Sequence, residues 1–232
     1  MNIVIIGTGY VGLVTGVGLA SLGNNINFLD LDENKIQNLS NKKITFYEPG
    51  LEEYFNDDET FSRMFFSSDY ASIEWQNIDI VFVCVQTPNN LETNSVDTNF
   101  LESAIKEINN VNNDDLVITI KSTIPPYEIE KVCEKVGMDS NKLTFNPEFL
   151  REGTAVEDFF KPDRIVLGGT NNEKLNKLKE LYTDFDCEII TTDSISSQLI
   201  KYLANTYLPL RLSFVNEATR LIDYSGGNLD DV

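Results

Sequence analysis

Three glycines and a handful of polar side chains carry the chemistry available to this chain. Gly7, Gly9 and Gly12 stand in Gly7-Thr8-Gly9-Tyr10-Val11-Gly12, between an uncharged β-branched run, Ile3 to Ile6, and an apolar helical stretch closed by Gly23. In that setting the spacing has a mechanical meaning. The first glycine permits a tight turn, the second lets the backbone approach a pyrophosphate, and the third lets helix and strand pack closely. The helix N-terminus at Tyr10 and Val11 offers free N–H groups and partial positive charge to phosphates. Asp30 ends a second apolar run, Ile26 to Leu29. A carboxylate there accepts hydrogen bonds from the adenosine ribose and repels a 2′-phosphate, so NAD is expected over NADP. Asp32 is the alternative ribose ligand, but it reads more naturally as the cap of a helix from Glu33 to Leu39. A glycine-rich turn that binds nothing is the plain alternative.

A second group lies further along. Thr87, Thr123 and Glu148 each follow a strand-like run, and open α/β sheets bind ligands beyond the carboxyl ends of their strands. Singly each suits a cap or a loop; together they outline a site facing a nicotinamide. Glu148 opens Glu148-Phe149-Leu150-Arg151-Glu152-Gly153, and a helical turn there would put Glu148 and Glu152 on one face. The alternative is a surface turn with Arg151 or Glu152 in an ion pair. Lys201 and Asn205 repeat the i, i+4 spacing among apolar neighbours, so both polar groups are expected to face something that needs them. A snorkelling lysine is the other reading.

The elements that position these residues alternate strand and helix, which predicts a doubly wound, mainly parallel sheet with helices on both faces. Strands are expected at Met64 to Phe66, Asp79 to Val85, Leu116 to Ile120, Leu143 to Phe145, Arg164 to Leu167 and Cys187 to Thr191. Helices are expected at Leu51 to Phe55, Asp97 to Ile108, Pro126 to Val136 and Asn172 to Thr183, with a polar loop over 89–96. From Ser194 to Tyr224 helical periodicity runs on, interrupted only by Pro209 and ended by Gly226-Gly227. So long a helix usually leaves its own domain to join another.

Composition narrows the chemistry. With 232 residues and 41% hydrophobic content the chain can hold one large domain plus an appendage. A net charge of −19 argues against a nucleic-acid surface or an anionic membrane. No apolar run approaches a membrane span, and Met1 leads into the first strand without a basic leader, so a cytoplasmic protein is expected. Cys84, Cys133 and Cys187 match no metal or redox spacing and are expected to be buried structural residues. The chain has no histidine. That removes histidine-based dehydrogenase chemistry and the commonest zinc ligand, leaving carboxylate, lysine, tyrosine or bound water as general base.

The blocks GTGYVG, YEPGLEE (47–53), KSTIPP (121–126), FNPEFLREGTAVEDFFKPDRIVLG (145–168) and IKYLANTYLPLRLSFVNE (200–217) closely resemble the UDP-glucose/GDP-mannose dehydrogenase family, and more its UDP-glucose branch. The resemblance runs the length of the chain. It implies a Rossmann-type NAD-binding domain over 1–193 and the start of a central dimerisation helix over 194–232. It implies oxidation of a sugar C6 alcohol to a carboxylate by two hydride transfers to NAD, in a homodimer when the protein is full-length. Glu148 would be the general base acting through water, and Thr123 would position that water. Lys201 and Asn205 would stabilise the developing oxyanion. The amides of Phe149, Leu150, Arg151, Glu152 and Gly153 would approach the UDP diphosphate. Glu152 would help bind the sugar or the nicotinamide, and Thr87 the cofactor.

The chain departs from the family in one respect: it has no GGSCFPKD-like segment carrying the nucleophilic cysteine and the aspartate after it. The expectation is therefore an N-terminal part that binds NAD but cannot by itself complete the second oxidation, for want of a thiohemiacetal. Two rivals stand beside it. Tyr127 and Lys131 match the Tyr-x-x-x-Lys pair of short-chain dehydrogenases, although the glycine turn does not. The other rival is a nucleotide-binding or interaction domain without chemistry.

Overall fold

The computed structural model describes residues 1–90 and 95–232. Eight strands form one sheet: β1 (Asn2–Ile6), β2 (Asn25–Leu29), β3 (Met64–Ser67), β4 (Ile80–Val83), β7 (Val117–Ile120), β8 (Leu143–Phe145), β9 (Arg164–Gly168) and β10 (Glu188–Thr192). A short antiparallel pair, β5 (Asn89–Asn90) and β6 (Ser95–Val96), lies apart. It occupies the ends of the predicted polar loop, whose residues 91–94 lie outside the described residues. The sheet order is β10-β9-β8-β7-β4-β1-β2-β3. Every neighbouring pair is parallel except β8 and β9, which meet antiparallel at Phe145 and Gly168.

Side-chain alternation along the strands explains the two layers of helix. Ile3 and Ile5 enter one apolar cluster with Leu13, Phe28, Phe82 and Leu178, while Val4 and Ile6 enter another with Val81, Leu101 and Val132. A strand buried on both faces reads as a continuous apolar run, which is why β1 and β4 carry no alternation in sequence. Helices α1 (Tyr10–Ser21), α7 (Ala155–Phe160) and α8 (Asn172–Glu180) cover the first face; α5 (Asn99–Asn109) and α6 (Pro126–Val136) cover the second. Three smaller helices, α2 (Glu33–Ser40), α3 (Leu51–Asn56) and α4 (Asp58–Ser62), complete the β2 to β3 crossover. Asp32 caps α2, accepting hydrogen bonds from the Asn34 and Lys35 amides, so the capping reading of this residue holds.

The last helix, α9, runs from Ser194 to Ser225 and closes on Gly226, whose φ of 72° is left-handed. Pro209 does not interrupt it, contrary to the sequence reading. The ring removes only one helical N–H donor, the one that would serve the Asn205 carbonyl, and the remaining turns carry the helix past it. The expected helical turn over 148–152 is also absent. Residues from Asn146 to Arg151 are irregular, a turn follows, and α7 begins only at Ala155. Cys84 and Cys133 are buried as expected, but Cys187 is only half-buried and precedes β10.

Candidate functional site

The sheet reverses its winding between β1 and β4, and the chain opens a cleft of about 720 Å³ beyond their carboxyl ends. Gly7, Gly9, Tyr10, Val11, Asp30, Thr87, Thr123 and Glu148 all line it. Gly7 adopts φ 95°, and a Cβ there would meet the Cys84 carbonyl oxygen at 2.8 Å. Gly12 lies beneath the turn, where a Cβ would collide with the Gly7 carbonyl. Gly9 meets nothing within 4 Å of its Cβ position, and α1 has no side-chain cap at its N-terminus. Uncapped N–H groups above an unobstructed glycine fit a pyrophosphate.

Asp30 is fastened as well as placed. Its Oδ2 accepts hydrogen bonds from the Thr8 amide and hydroxyl, both at 2.8 Å, and Oδ1 accepts from the Asp32 amide at 3.0 Å. Burial works to raise its carboxyl, but those hydrogen bonds and the Lys35 ammonium outweigh it and hold the group below its ordinary value. Neither Thr8 nor Lys35, whose ammonium is 3.6 Å from Asp30, was singled out from sequence. A threonine between two glycines is an unmarked residue until the fold brings Asp30 over it.

A second cleft, of about 550 Å³, adjoins the first. Glu148, Phe149, Leu150, Arg151, Lys201 and Asn205 line it, and Glu148 and Lys121 line both clefts. Glu148 Oε1 pairs with Lys201 Nζ at 2.8 Å, with side chains only 12% and 7% exposed, and its Oε2 accepts from the Leu150 amide at 2.7 Å. The i, i+4 spacing on α9 therefore puts Lys201 on the carboxylate and Asn205 on the cleft wall. Pro209 leaves the Asn205 backbone carbonyl without its helical donor at the same place.

The loop between Glu148 and α7 differs from expectation in detail. Its Leu150, Arg151 and Gly153 amides already donate to Glu148, Asp158 and Glu48. Among the described residues, the Phe149 and Glu152 amides are the two of the five expected to face a diphosphate that have no such side-chain partner. Glu152 is exposed and lines neither cleft. Arg151 makes a two-pronged ion pair with Asp158, at 2.6 and 3.1 Å, which lowers the Asp158 carboxyl and raises the guanidinium.

The structure adds a buried lysine. Lys121 donates to Asn146 Oδ1 at 2.9 Å, which also accepts the Tyr182 hydroxyl at 2.7 Å. Burial holds the Lys121 ammonium below its ordinary value. It stands in the KSTIPP block, but a lysine after a strand gives no sign in sequence that it will be enclosed. Cys84 is buried and close enough to feel Lys121, yet burial pushes its thiol up to about 12, which disfavours the thiolate form. Tyr127 is exposed on α6 with the Lys131 ammonium 5.1 Å from its ring centre, and neither residue lines either cleft, which argues against them as a catalytic pair. Among the described residues no group of three His, Cys, Asp or Glu could hold a metal ion, and no helix is long and apolar enough to cross a membrane.

Residues 1–186 match the sequence profile of the UDP-glucose/GDP-mannose dehydrogenase family, NAD binding domain. The chain belongs to that family. A UDP-glucose 6-dehydrogenase of Rickettsia felis is 39% identical over 238 residues, covering 100% of this chain and 52% of its own length. The chain thus spans about half the length of this curated relative. Two solved structures of the family superpose closely. The UDP-glucose dehydrogenase of Pyrobaculum islandicum gives a TM-score of 0.86 at 31% identity, over 98% of this chain and 54% of its own. The GDP-mannose dehydrogenase of Pseudomonas aeruginosa gives 0.88 at 26%, over 100% and 55%. The family's domain binds NAD.

Proposed function

We propose that this chain is the NAD-binding part, residues 1–193, of a nucleotide-sugar 6-dehydrogenase acting on UDP-glucose, with 194–232 opening a dimerisation helix. The observation that carries the reading is the Glu148–Lys201 pair, which stands where the two clefts meet. A carboxylate there can take a proton from a water or sugar hydroxyl, and the adjacent ammonium can stabilise an alkoxide as it forms. Thr123 and Thr87 stand on the cofactor side, tied together by a hydrogen bond from the Thr87 hydroxyl to the Thr123 carbonyl at 2.7 Å. Asn205 supplies an amide to the sugar side. Bound NAD supplies the hydride acceptor.

The second oxidation of such a reaction needs a thiol to hold the aldehyde, and neither buried Cys84 nor Cys133 offers one. The exposed apolar side of α9, including Leu203, Tyr207, Leu210 and Phe214, favours coverage by a second copy. Calorimetric titration of the chain with NAD and NADP tests the cofactor reading. Saturable NAD binding at least about tenfold tighter than NADP is expected from the carboxylate at Asp30. A folded chain that binds neither overturns it. UDP-glucose assayed with NAD tests the requirement for a thiol: the chain alone should give no sustained NADH formation, and sustained turnover to the acid would overturn that requirement.

A further inference from the structure

The best-held carboxylate outside the two clefts is Glu48, which is only 3% exposed. Its Oε1 accepts the Ala155 amide at 2.8 Å, and its Oε2 accepts the Gly153 amide at 2.9 Å and the Tyr10 hydroxyl at 2.8 Å. The Tyr10 hydroxyl also lies 3.0 Å from the Arg151 carbonyl, sharing its single proton between the two acceptors. Burial, and then the hydrogen bond and charge of Glu48, drive the Tyr10 phenol above its ordinary value, so it stays a donor throughout the physiological range. Tyr10 is the first residue of α1, in the glycine turn that lines the cofactor cleft; Arg151 and Gly153 belong to the loop that leaves Glu148 for α7. Tyr10 and Arg151 lie 141 residues apart in sequence, and Glu48 and Gly153 lie 105 apart.

We propose that Glu48 and Tyr10 form a clasp that makes the order of the 148–155 loop depend on occupancy of the cofactor turn. Glu48 is a positioning residue: it touches neither cleft and acts through Tyr10 and the loop amides. The inference rests on the cofactor reading above. A dinucleotide on the Gly9 to Val11 turn restrains the Tyr10 backbone, and with it the phenol that shares Glu48 and the Arg151 carbonyl. The loop, whose Gly153 has φ 88°, whose Gly153 and Ala155 amides go to Glu48 and whose Arg151 and Thr154 are held by Asp158, is then kept in place for a second ligand. Ordering that one ligand has already provided need not be provided again by the next, so cofactor binding favours subsequent nucleotide-sugar binding.

Amide hydrogen exchange at Gly153 and Ala155, followed by NMR with and without saturating NAD, tests the clasp. In the unaltered chain NAD should raise protection at both amides by about tenfold or more. In Tyr10→Phe, which keeps both loop-to-Glu48 hydrogen bonds, the rise at its own NAD saturation should fall below about twofold. Glu48→Gln, keeping the shape but losing the charge, should lower protection at both amides even without NAD. A purely structural role for Glu48 predicts that last change but leaves the NAD-dependent rise intact in Tyr10→Phe, and that result overturns the proposal. NAD binding with no rise in the unaltered chain overturns it too and leaves the cofactor reading standing. Absence of NAD binding by the folded chain sinks the cofactor reading and the clasp together.

Discussion

Around Gly7 the backbone and side chains are tied to neighbours from several elements: Gly7 to Leu29, Thr8 to Asp30, Asp30 to Asp32, and Tyr10 to Glu48. At the other end of the chain, among the described residues, the buried side chains of α9 are at its root, Ser197, Gln198 and Lys201; beyond them Leu203, Leu210, Phe214 and Tyr224 are between 62% and 92% exposed. The first region is finished by this chain, whereas the second has an apolar surface that this chain leaves uncovered. A ligand site that depends on the first alone can be complete while one that also uses α9 is not. Lys201 is where the two regions meet, since it belongs to the helix by sequence and to the sheet by burial.

That contrast can be broken most sharply at Lys201. Lys201→Met leaves Glu148 buried without its cation and should cost about 3–5 kcal/mol, read from urea unfolding. A neutral result would make α9 a mere appendage. Gly12→Ala attacks the finished region instead. Its methyl has nowhere to go against the Gly7 carbonyl, so a loss of about 1–3 kcal/mol and of measurable NAD binding by calorimetry are expected.

Acid should touch the first region in a way that isolates one group. Asp30 has a lowered folded value, so its stabilisation is full above its ordinary 3.8 and is lost as pH falls below that. Relative to Asp30→Asn, the unaltered chain should therefore lose about 1 kcal/mol of its advantage on acidification, seen in urea midpoints across that range. The smallest effect is expected far along α9. Phe214→Asp, at a side chain 72% exposed, should move the unfolding free energy by less than about 0.5 kcal/mol. The same change should reduce self-association in sedimentation velocity, which separates what holds the sheet together from what covers the helix.

The sheet was legible in sequence because its signals are local. Buried β-branched runs mark β1, β4 and β7, and glycines at 7, 9 and 12 mark the turn after the first of them. Glu148, Lys201 and Asn205 were also legible, Lys201 and Asn205 as polar groups spaced by one helical turn among apolar neighbours. The rest depended on contacts between distant segments. Nothing near Glu48 announces Gly153, and nothing near Lys121 announces Asn146 and Tyr182. The 148–152 segment was misread as a possible turn of helix because carboxylates at i and i+4 suit one. The Glu148 and Asp158 side chains instead take the Leu150 and Arg151 amides, offering this backbone other partners than a helix would.

Gly168 has no Cβ, and one placed there would run into Ser197 of α9. The missing atom makes a socket in β9 for the root of a helix 32 residues long. Seen mechanically, α9 is a lever: a tilt of about 5° at the socket carries its far end about 4 Å, at 1.5 Å of rise per residue. The same tilt moves Lys201, a single turn from the pivot, by only about half an ångström. Whatever grips the tip of this arm can swing it through a large arc while the ammonium beside Glu148 stays almost still.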